Sequence, residues 1–430
     1  MRDTTAVRFP TSVTRWLAPP VPLAQSQRTL LKGLAVVALV VGYQGSITSA
    51  SLTFAAEQWG ATAAAQSRSL AVIRADILLA LIIVRSADRV GRRRLLLLCA
   101  TFGPVFTALC ALTTGIVQFT ALQIVARAFV TAAAILIAVL GVESLPAEAR
   151  AWASGSLVIA AAVGSGLTLV ALPLADASRS SWRLLYLVPL LALPTVPGVA
   201  RRVVESERFE RNVGQRRAEL DSTLRALAGH WRRFAAMGLF LFLVAFEGSP
   251  SRQLQNDFLR RERGFSAVAI AVFGLATNAP GLIGLIVGGR MADRVGRKRV
   301  LTVAMIAFAV GDAGLYLTHG PAQWGFSVFG ALIGGASLPA LGIYTAELFP
   351  TAMRSTANGV TAGLSRLGGV LGLLFVGAIS RPDHIGGAVA LTTAALWISV
   401  VVLHLLVPET AHRELEELNP EDVPFSASPG

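Results

Sequence analysis

Charge is the first thing this chain lacks. Of its 430 residues only 15% are Asp, Glu, Lys or Arg, against about 25% in an ordinary soluble domain. Cysteine is nearly absent: Cys99 and Cys110 are the only two, which excludes a disulfide-stapled secreted scaffold. Both fall in one apolar run, and on one helix they would stand about 16 Å apart, beyond disulfide reach. Lysine is reduced to Lys32 and Lys298. The five histidines show no metal-ligand spacing, and no Walker sequence is present. No Ser/His/Asp or paired-carboxylate arrangement stands in a water-exposed segment. These absences argue against an enzyme, against ATP drive by this chain and against any metal or cofactor. What the chain has instead is apolar bulk, 54% of residues, with a mean hydropathy of +0.62. A soluble protein of this composition would expose more hydrophobic surface than water tolerates, and a disordered chain could not be so apolar.

The apolar residues fall into runs long enough to span a bilayer, where about 20 residues suffice per helix. Twelve spans are expected, at 31–53, 66–85, 95–115, 118–142, 152–174, 183–200, 234–253, 265–288, 300–318, 323–345, 356–379 and 386–407. They define an N-terminal tail (1–30), a first six-helix bundle (31–200), a charged central loop (201–233), a second six-helix bundle (234–408) and an acidic C-terminal tail (409–430). The N-terminal 29 residues lack the compact apolar core and small-residue cleavage site of a signal peptide, so the first span is expected to serve as an uncleaved insertion signal. Formal net charge is +13. The basic residues flank the apolar runs, which points to lipid headgroups and membrane orientation rather than nucleic acid. With both termini in the cytoplasm, most Lys and Arg fall on the cytoplasmic side, as the positive-inside rule requires. One connection dissents: QLQNDFLRRERG, between spans 7 and 8, is external yet carries Arg260, Arg261 and Arg263. It reads as a tolerated exception, with a basic mouth for anionic solutes as the competing reading.

The two halves repeat one another. ADRVGRRR at Ala87–Arg94 returns as ADRVGRKR at Ala292–Arg299, an offset of 205. Glu143, Pro146, Arg150 and Gly155 return as Glu347, Pro350, Arg354 and Gly359, and Glu205-Ser206 as Glu409-Thr410, both at an offset of 204. An even number of spans per half gives parallel repeats about an axis along the membrane normal, with solute sites between the halves near mid-membrane. On these strings the chain resembles the major facilitator superfamily over essentially its whole length. The G-x-x-x-D-R-x-G-R-R/K signature is complete in the second copy, while the first has Val84 in place of glycine. ESLPAEAR, ELFPTAMR, PETAHRELEEL and VESERF resemble segments of the sugar-porter and metabolite:proton symporter branch. The resemblance implies an all-α membrane fold of two pseudo-symmetric six-helix bundles. It also implies two cytoplasmic ion-pair clusters that hold the halves together when the cavity faces out. One would contain Arg92, Arg93, Glu143, Arg150 and Glu205, and its twin Arg297, Lys298, Glu347, Arg354 and Glu409. Asp88 and Asp293 would face helix N-termini.

Six charges lie within spans, where each costs about 2.5–3.5 kcal/mol at a helix centre: Arg74, Asp76, Arg127, Glu247, Asp312 and Arg366. Arg74 and Asp76, two residues apart, would sit on different helix faces and need other partners. The resemblance implies that spans 1, 4, 7 and 10 line the cavity, which favours Arg127 and Glu247 as solute or proton residues. It makes Asp312, on a peripheral span, a structural partner. Arg127 lies one turn beyond the family's arginine, whose position here is Gln123. GYQGSI at Gly42–Ile47 resembles the G-Y/F-D-x-G segment of proton-coupled sugar porters without its aspartate. Any proton carrier is therefore elsewhere, Glu247 first and Asp76 second, with Tyr43 and Gln44 left as hydrogen-bonding candidates. The resulting expectation is a monomeric secondary transporter of a small polar metabolite, a sugar or an organic acid, working by alternating access and proton symport. Arginine bias and alanine richness point to a bacterial cytoplasmic membrane. Proton-antiport efflux of a drug or natural product is the alternative, and a transporter-like nutrient sensor is the reading from another class.

Overall fold

The structure, a computed structural model, describes residues 19, 21–86, 90–146, 149–203, 231–349, 354–381 and 384–410. Among these residues the fold is entirely helical apart from one isolated bridge between Arg381 and His384. The first bundle comprises α1 (Gln25–Trp59), α2 (Ala63–Ile73 and Asp76–Arg85), α3 (Arg92–Leu109), α4 (Ile116–Glu143), α5 (Arg150–Ala171) and α6 (Trp182–Arg202). The second comprises α7 (Trp231–Arg261), α8 (Ala267–Asn278 and Gly281–Val295), α9 (Arg297–Leu317), α10 (Pro321–Gly334 and Ser337–Leu348), α11 (Arg354–Ile379) and α12 (Gly386–Thr392 and Ala394–Leu406). Eleven of the twelve are long and apolar enough to cross a membrane; the exception is α2, which carries Arg68, Arg74, Asp76 and Arg85 along its length. Helix is the expected answer to a solvent that cannot satisfy backbone polar groups.

Sequence chemistry sets the helix ends. Thr62 and Ser266 cap α2 and α8, each side-chain oxygen accepting a backbone N–H at 3.2 Å, from Ala65 and Ala269. The repeated signature has a shared backbone reason. Gly91 and Gly296 adopt φ +95° and +109°, a region that side chains rarely enter, and each reverses the chain between two helices. The interruption of α2 falls at Arg74–Ala75, where the backbone switches to i→i−3 hydrogen bonds. It leaves Asp76 at the N-terminal end of the second piece, where its negative charge is favoured. In α8 the equivalent break sits at Ala279–Pro280, where proline removes a donor.

Packing inside each half centres on the first and fifth helices. A Cβ on Gly42 would stand 1.9 Å from the Ala161 oxygen, and one on Gly164 would stand 1.9 Å from the Leu39 oxygen. The second half repeats this contact: Gly368 and Gly372 of α11 press on the Phe242 and Phe246 oxygens of α7, at 2.2 and 2.0 Å from a would-be Cβ. Lipid gives no hydrophobic drive for helices to associate, so close backbone approach through small residues does that work. Substituting Gly164→Ala should destabilise the first bundle by about 1–3 kcal/mol, as overpacking does. Gly166→Ala, where a Cβ meets nothing within 4 Å, should leave it unchanged. Thermal unfolding of the purified variants in detergent checks this, and equal melting temperatures would reject the α1–α5 contact.

Candidate functional site

Four of the charges inside spans converge. Asp76, 1% exposed, projects from the break in α2 into a cavity of about 730 Å³ lined also by Arg74, Arg127 and Arg366. Its Oδ1 accepts from Arg366 Nη1 at 3.2 Å, and its Oδ2 accepts from Thr131 Oγ1 at 2.7 Å, with Arg127 Nε 3.9 Å away. Arg127 also donates to the Gly45 carbonyl at 2.9 Å, and Arg74 donates to Ser249 Oγ at 2.7 Å. Two of these bonds cross between the halves: Asp76 to Arg366, from α2 to α11, and Arg74 to Ser249, from α2 to α7. Three guanidiniums therefore share the cavity with one carboxylate: Arg366 reaches Asp76 across the bundle interface, Arg127 stands beside it from the same half, and Arg74 bonds Ser249. The interruption of α2 gives Arg74 and Asp76 separate partners, and both end in the same cavity. Arg127, a turn beyond the position the family resemblance suggests, reaches the cavity by bonding the α1 backbone; Gln123 instead accepts from Thr48 at 3.1 Å.

The other candidates are placed elsewhere. Glu247 is buried and does not line this cavity; it faces Asp312 of α9, with Arg252 and Ser251 beside it. Asp312 thus lies against the very carboxylate that was expected to serve the solute. Tyr43 donates to the Leu185 carbonyl at 3.0 Å and Gln44 to Thr107 Oγ1 at 2.8 Å, so both tie α1 to its own bundle. Sequence reasoning missed Ser249, Thr131, Ser49, Gln253 and the Gly45 carbonyl. Single hydroxyls and carbonyls carry no pattern, and only their position beside the arginines marks them.

The expected cytoplasmic clusters lie at the end of the bundle where α1 and α7 begin and α6 and α12 end, the terminal end. Arg297 Nη2 meets Glu347 Oε1 at 2.9 Å. Glu409 accepts from the backbone N–H groups of Arg297 and Lys298 at 3.2 and 3.1 Å, while the Lys298 ammonium bonds the His404 and Val407 carbonyls. In the first half Arg93 bonds the Ala200 and Val203 carbonyls, both at 2.7 Å, and Arg150 bonds the Leu145 carbonyl at 3.2 Å. Every one of these bonds stays within one half. Arg92 is also partnered. Asp88 and Glu205 lie outside the described residues, as do the side chains of Glu143, Asp293 and Arg354.

Among the described residues, a set of bonds between the halves lies at the opposite, distal end. Arg260 pairs with Glu57 at 3.1 Å and with Asp176 at 3.0 Å. Asp257 accepts from Gln66 at 2.8 Å, and Arg261 both pairs with Asp257 at 3.0 Å and donates to the Ala61 carbonyl at 2.9 Å. Ser67 donates to the Leu373 carbonyl at 2.5 Å, and Asn256 to the Ala50 carbonyl at 3.1 Å. The arginines expected in an external loop therefore stand on or just after α7, which runs on to Arg261, and Arg260 and Arg261 bond across the interface, whereas Arg263 stays within its own half. Arg263 donates to the Tyr316 and Thr318 carbonyls. If this network latches the distal end, Arg260→Ala should add a population with a longer distance between spin labels at positions 68 and 379. An unchanged double electron–electron resonance distribution would reject the latch.

Comparison with known proteins agrees with this architecture. The sequence profile of the Major Facilitator Superfamily matches residues 254–429. A candidate niacin/nicotinamide transporter of Bacillus subtilis is 30% identical over 191 residues, 43% of each chain, so that alignment spans under half of the relative's length. A candidate 4-methylmuconolactone transporter of Cupriavidus pinatubonensis is 26% identical over 80% of this chain and 81% of its own. The cis,cis-muconate transport protein of Acinetobacter baylyi is 23% identical over 75% of this chain and 80% of its own. Among solved structures, the D-xylose-proton symporter superposes with a TM-score of 0.74 at 18% identity, covering 89% of this chain and 98% of its own. The inward-open xylose transporter from E. coli superposes at 0.72 and 16%, covering 92% and 99%. These relatives are transporters rather than enzymes. With twelve helices among the described residues, in two repeated bundles around a charged mid-span cavity, the chain is an integral membrane protein with the fold of major facilitator transporters, and its residues 254–429 match that superfamily.

Proposed function

We propose that this protein moves small organic anions, carboxylates in particular, by alternating access coupled to proton symport. One observation carries the reading: Arg74, Arg127 and Arg366 face a single carboxylate in the cavity between the halves. Unbalanced charge in a low-dielectric interior is costly, and a bound carboxylate would offset it. A guanidinium also offers the planar fork that a carboxylate accepts in two parallel bonds, which a neutral sugar cannot match. The named cargo of the muconate relative, and that of the gentisate transporter of Corynebacterium glutamicum, 24% identical over 68% of this chain, are acids that ionise well below neutral pH.

The same geometry supplies a coupling step. An incoming carboxylate competes with Asp76 for Arg366 and Arg127. The displaced Asp76 carboxylate is the group on which a proton would travel with the anion. Anion and proton bind together and cross together, and the site returns to its starting charge when both leave. Asp76 therefore takes the carrier role in preference to Glu247, which lies outside the cavity. The terminal end, rich in Arg and Lys, is placed in the cytoplasm of a bacterial cell, and one chain is the transporting unit, since the cavity forms within it.

Proteoliposomes loaded with a pH dye test this directly. Gentisate or cis,cis-muconate added outside should acidify the lumen, while xylose and cationic dyes should not. Arg366→Ala and Arg127→Ala should each raise the half-saturating anion concentration at least about tenfold, the loss of one charge-assisted contact. Asp76→Asn should keep anion counterflow but lose accumulation driven by a pH gradient. Acidification by the sugar would move the assignment to sugar symport, and alkalinisation by the cationic dyes would move it to efflux.

A further inference from the structure

A second concavity of a different kind lies away from the cavity. It is a groove of about 880 Å³ between α8, α9 and α10, on the outer face of the second bundle. Its α8 wall is Ile283, Val287 and Met291, which are 57%, 42% and 45% exposed, and Val303 of α9 is 56% exposed. Gly284 and Gly288 bring α8 against the α10 backbone, a would-be Cβ standing 2.0 Å from the Leu332 oxygen and 2.4 Å from the Ala336 Cα, so the floor is flat. The groove is lined by one half, and α9 packs on helices of that half. Its apolar lining therefore faces lipid and not the polar cavity.

One lining residue breaks the apolar pattern. Arg299, in the first turn of α9, is exposed and closes the terminal end of the groove. Its neighbours in the signature are engaged inward, Arg297 with Glu347 and the Lys298 ammonium with the His404 and Val407 carbonyls. Arg299 forms no ion pair among the described residues. From Ile283 to Val295 the α8 wall runs about 18 Å at 1.5 Å per residue, close to the half-thickness of a bilayer core of about 30 Å. The groove thus matches one acyl chain in length, with a cation where the headgroup phosphate would lie. Basic positions at this depth attract anionic lipid.

We propose that this groove is a binding site for an anionic phospholipid, one acyl chain lying along α8 and its phosphate on Arg299. The site is distinct from the transport cavity and stands whether or not the cargo assignment does. Full-length protein in nanodiscs of phosphatidylcholine should be photolabelled by a phosphatidylglycerol carrying a diazirine in its acyl chain. The label should map by mass spectrometry to the α8 and α9 peptides of the groove. Unlabelled phosphatidylglycerol should displace it, whereas phosphatidylcholine and inorganic phosphate should not, which separates a lipid site from a free-anion site. Arg299→Gln should cut groove labelling at least about fivefold, Arg299→Lys should restore most of it, and Val287→Trp, which fills the groove, should abolish it. Monodispersity in size-exclusion chromatography confirms that each variant is folded. Equal labelling by a photoreactive phosphatidylcholine, or labelling indifferent to Arg299→Gln, would overturn the proposal.

Discussion

Three guanidiniums gathered in one cavity with a single buried carboxylate form the constraint on which the rest of this molecule depends. Asp76 is 1% exposed and takes Arg366 from the other half as its nearest cation. In a low dielectric each unbalanced charge acts over a longer distance than in water. The cavity is therefore stable only with its ions arrayed as they are, or with an anion supplied from outside. That requirement couples the two bundles, because the aspartate and one of its cations belong to different halves.

The scaffold is repeated, but the chemistry is not. The break in α2 at Arg74–Ala75 recurs 205 residues later at Ala279–Pro280, where Pro280 stands at the equivalent of Ala75 and Gly281 at the equivalent of Asp76. The close glycine of α5, Gly164, recurs 204 residues later as Gly368 of α11, and Gly91 recurs as Gly296. Backbone geometry has thus been retained in both copies, since helix crossings and reversals leave little latitude. The charges of the cavity appear in one copy only: Arg127 falls opposite Ala331, and Arg366 opposite Ala162, on the same offset. A solute bound in the cavity therefore meets a different surface from each half.

The two ends of the bundle use ion pairs differently. At the terminal end, Arg297, Glu347 and the Glu409 carboxylate tie α9 and α10 to the segment after α12, all within the second half. At the distal end, Arg260 joins α7 to α1 and to the segment after α5, across the halves. Partly exposed pairs of this kind are individually weak, about 0–1 kcal/mol. Several together hold a closed end that can still be released. Among the described residues, the distal bonds cross between the halves, and the terminal pairs named here brace the second half.

Hydropathy and repetition made the fold legible. Runs near 20 residues in a chain with 15% charge leave only membrane helices, because lipid cannot satisfy an unpaired backbone, and a shared offset makes two halves. Gly368 and Gly372 stand one helical turn apart, a spacing that permits close helix contact, and each presses on an α7 carbonyl. Part of the site was legible too, since charge inside a span is rare enough to single out Arg74, Asp76, Arg127 and Arg366. Their assembly was not. Helical periodicity places Arg74 and Asp76 on different faces, and only the interruption of α2 turns both toward one cavity. Nor did any linear pattern separate Asp76, set among cations, from Glu247, set against Asp312, or reveal that Arg260 of α7 meets Glu57 and Asp176. Composition and periodicity determine which solvent a segment prefers and which backbone it adopts. Which charge meets which depends on helix breaks and crossings that bring together residues hundreds of positions apart, and that was decided by the tertiary structure alone.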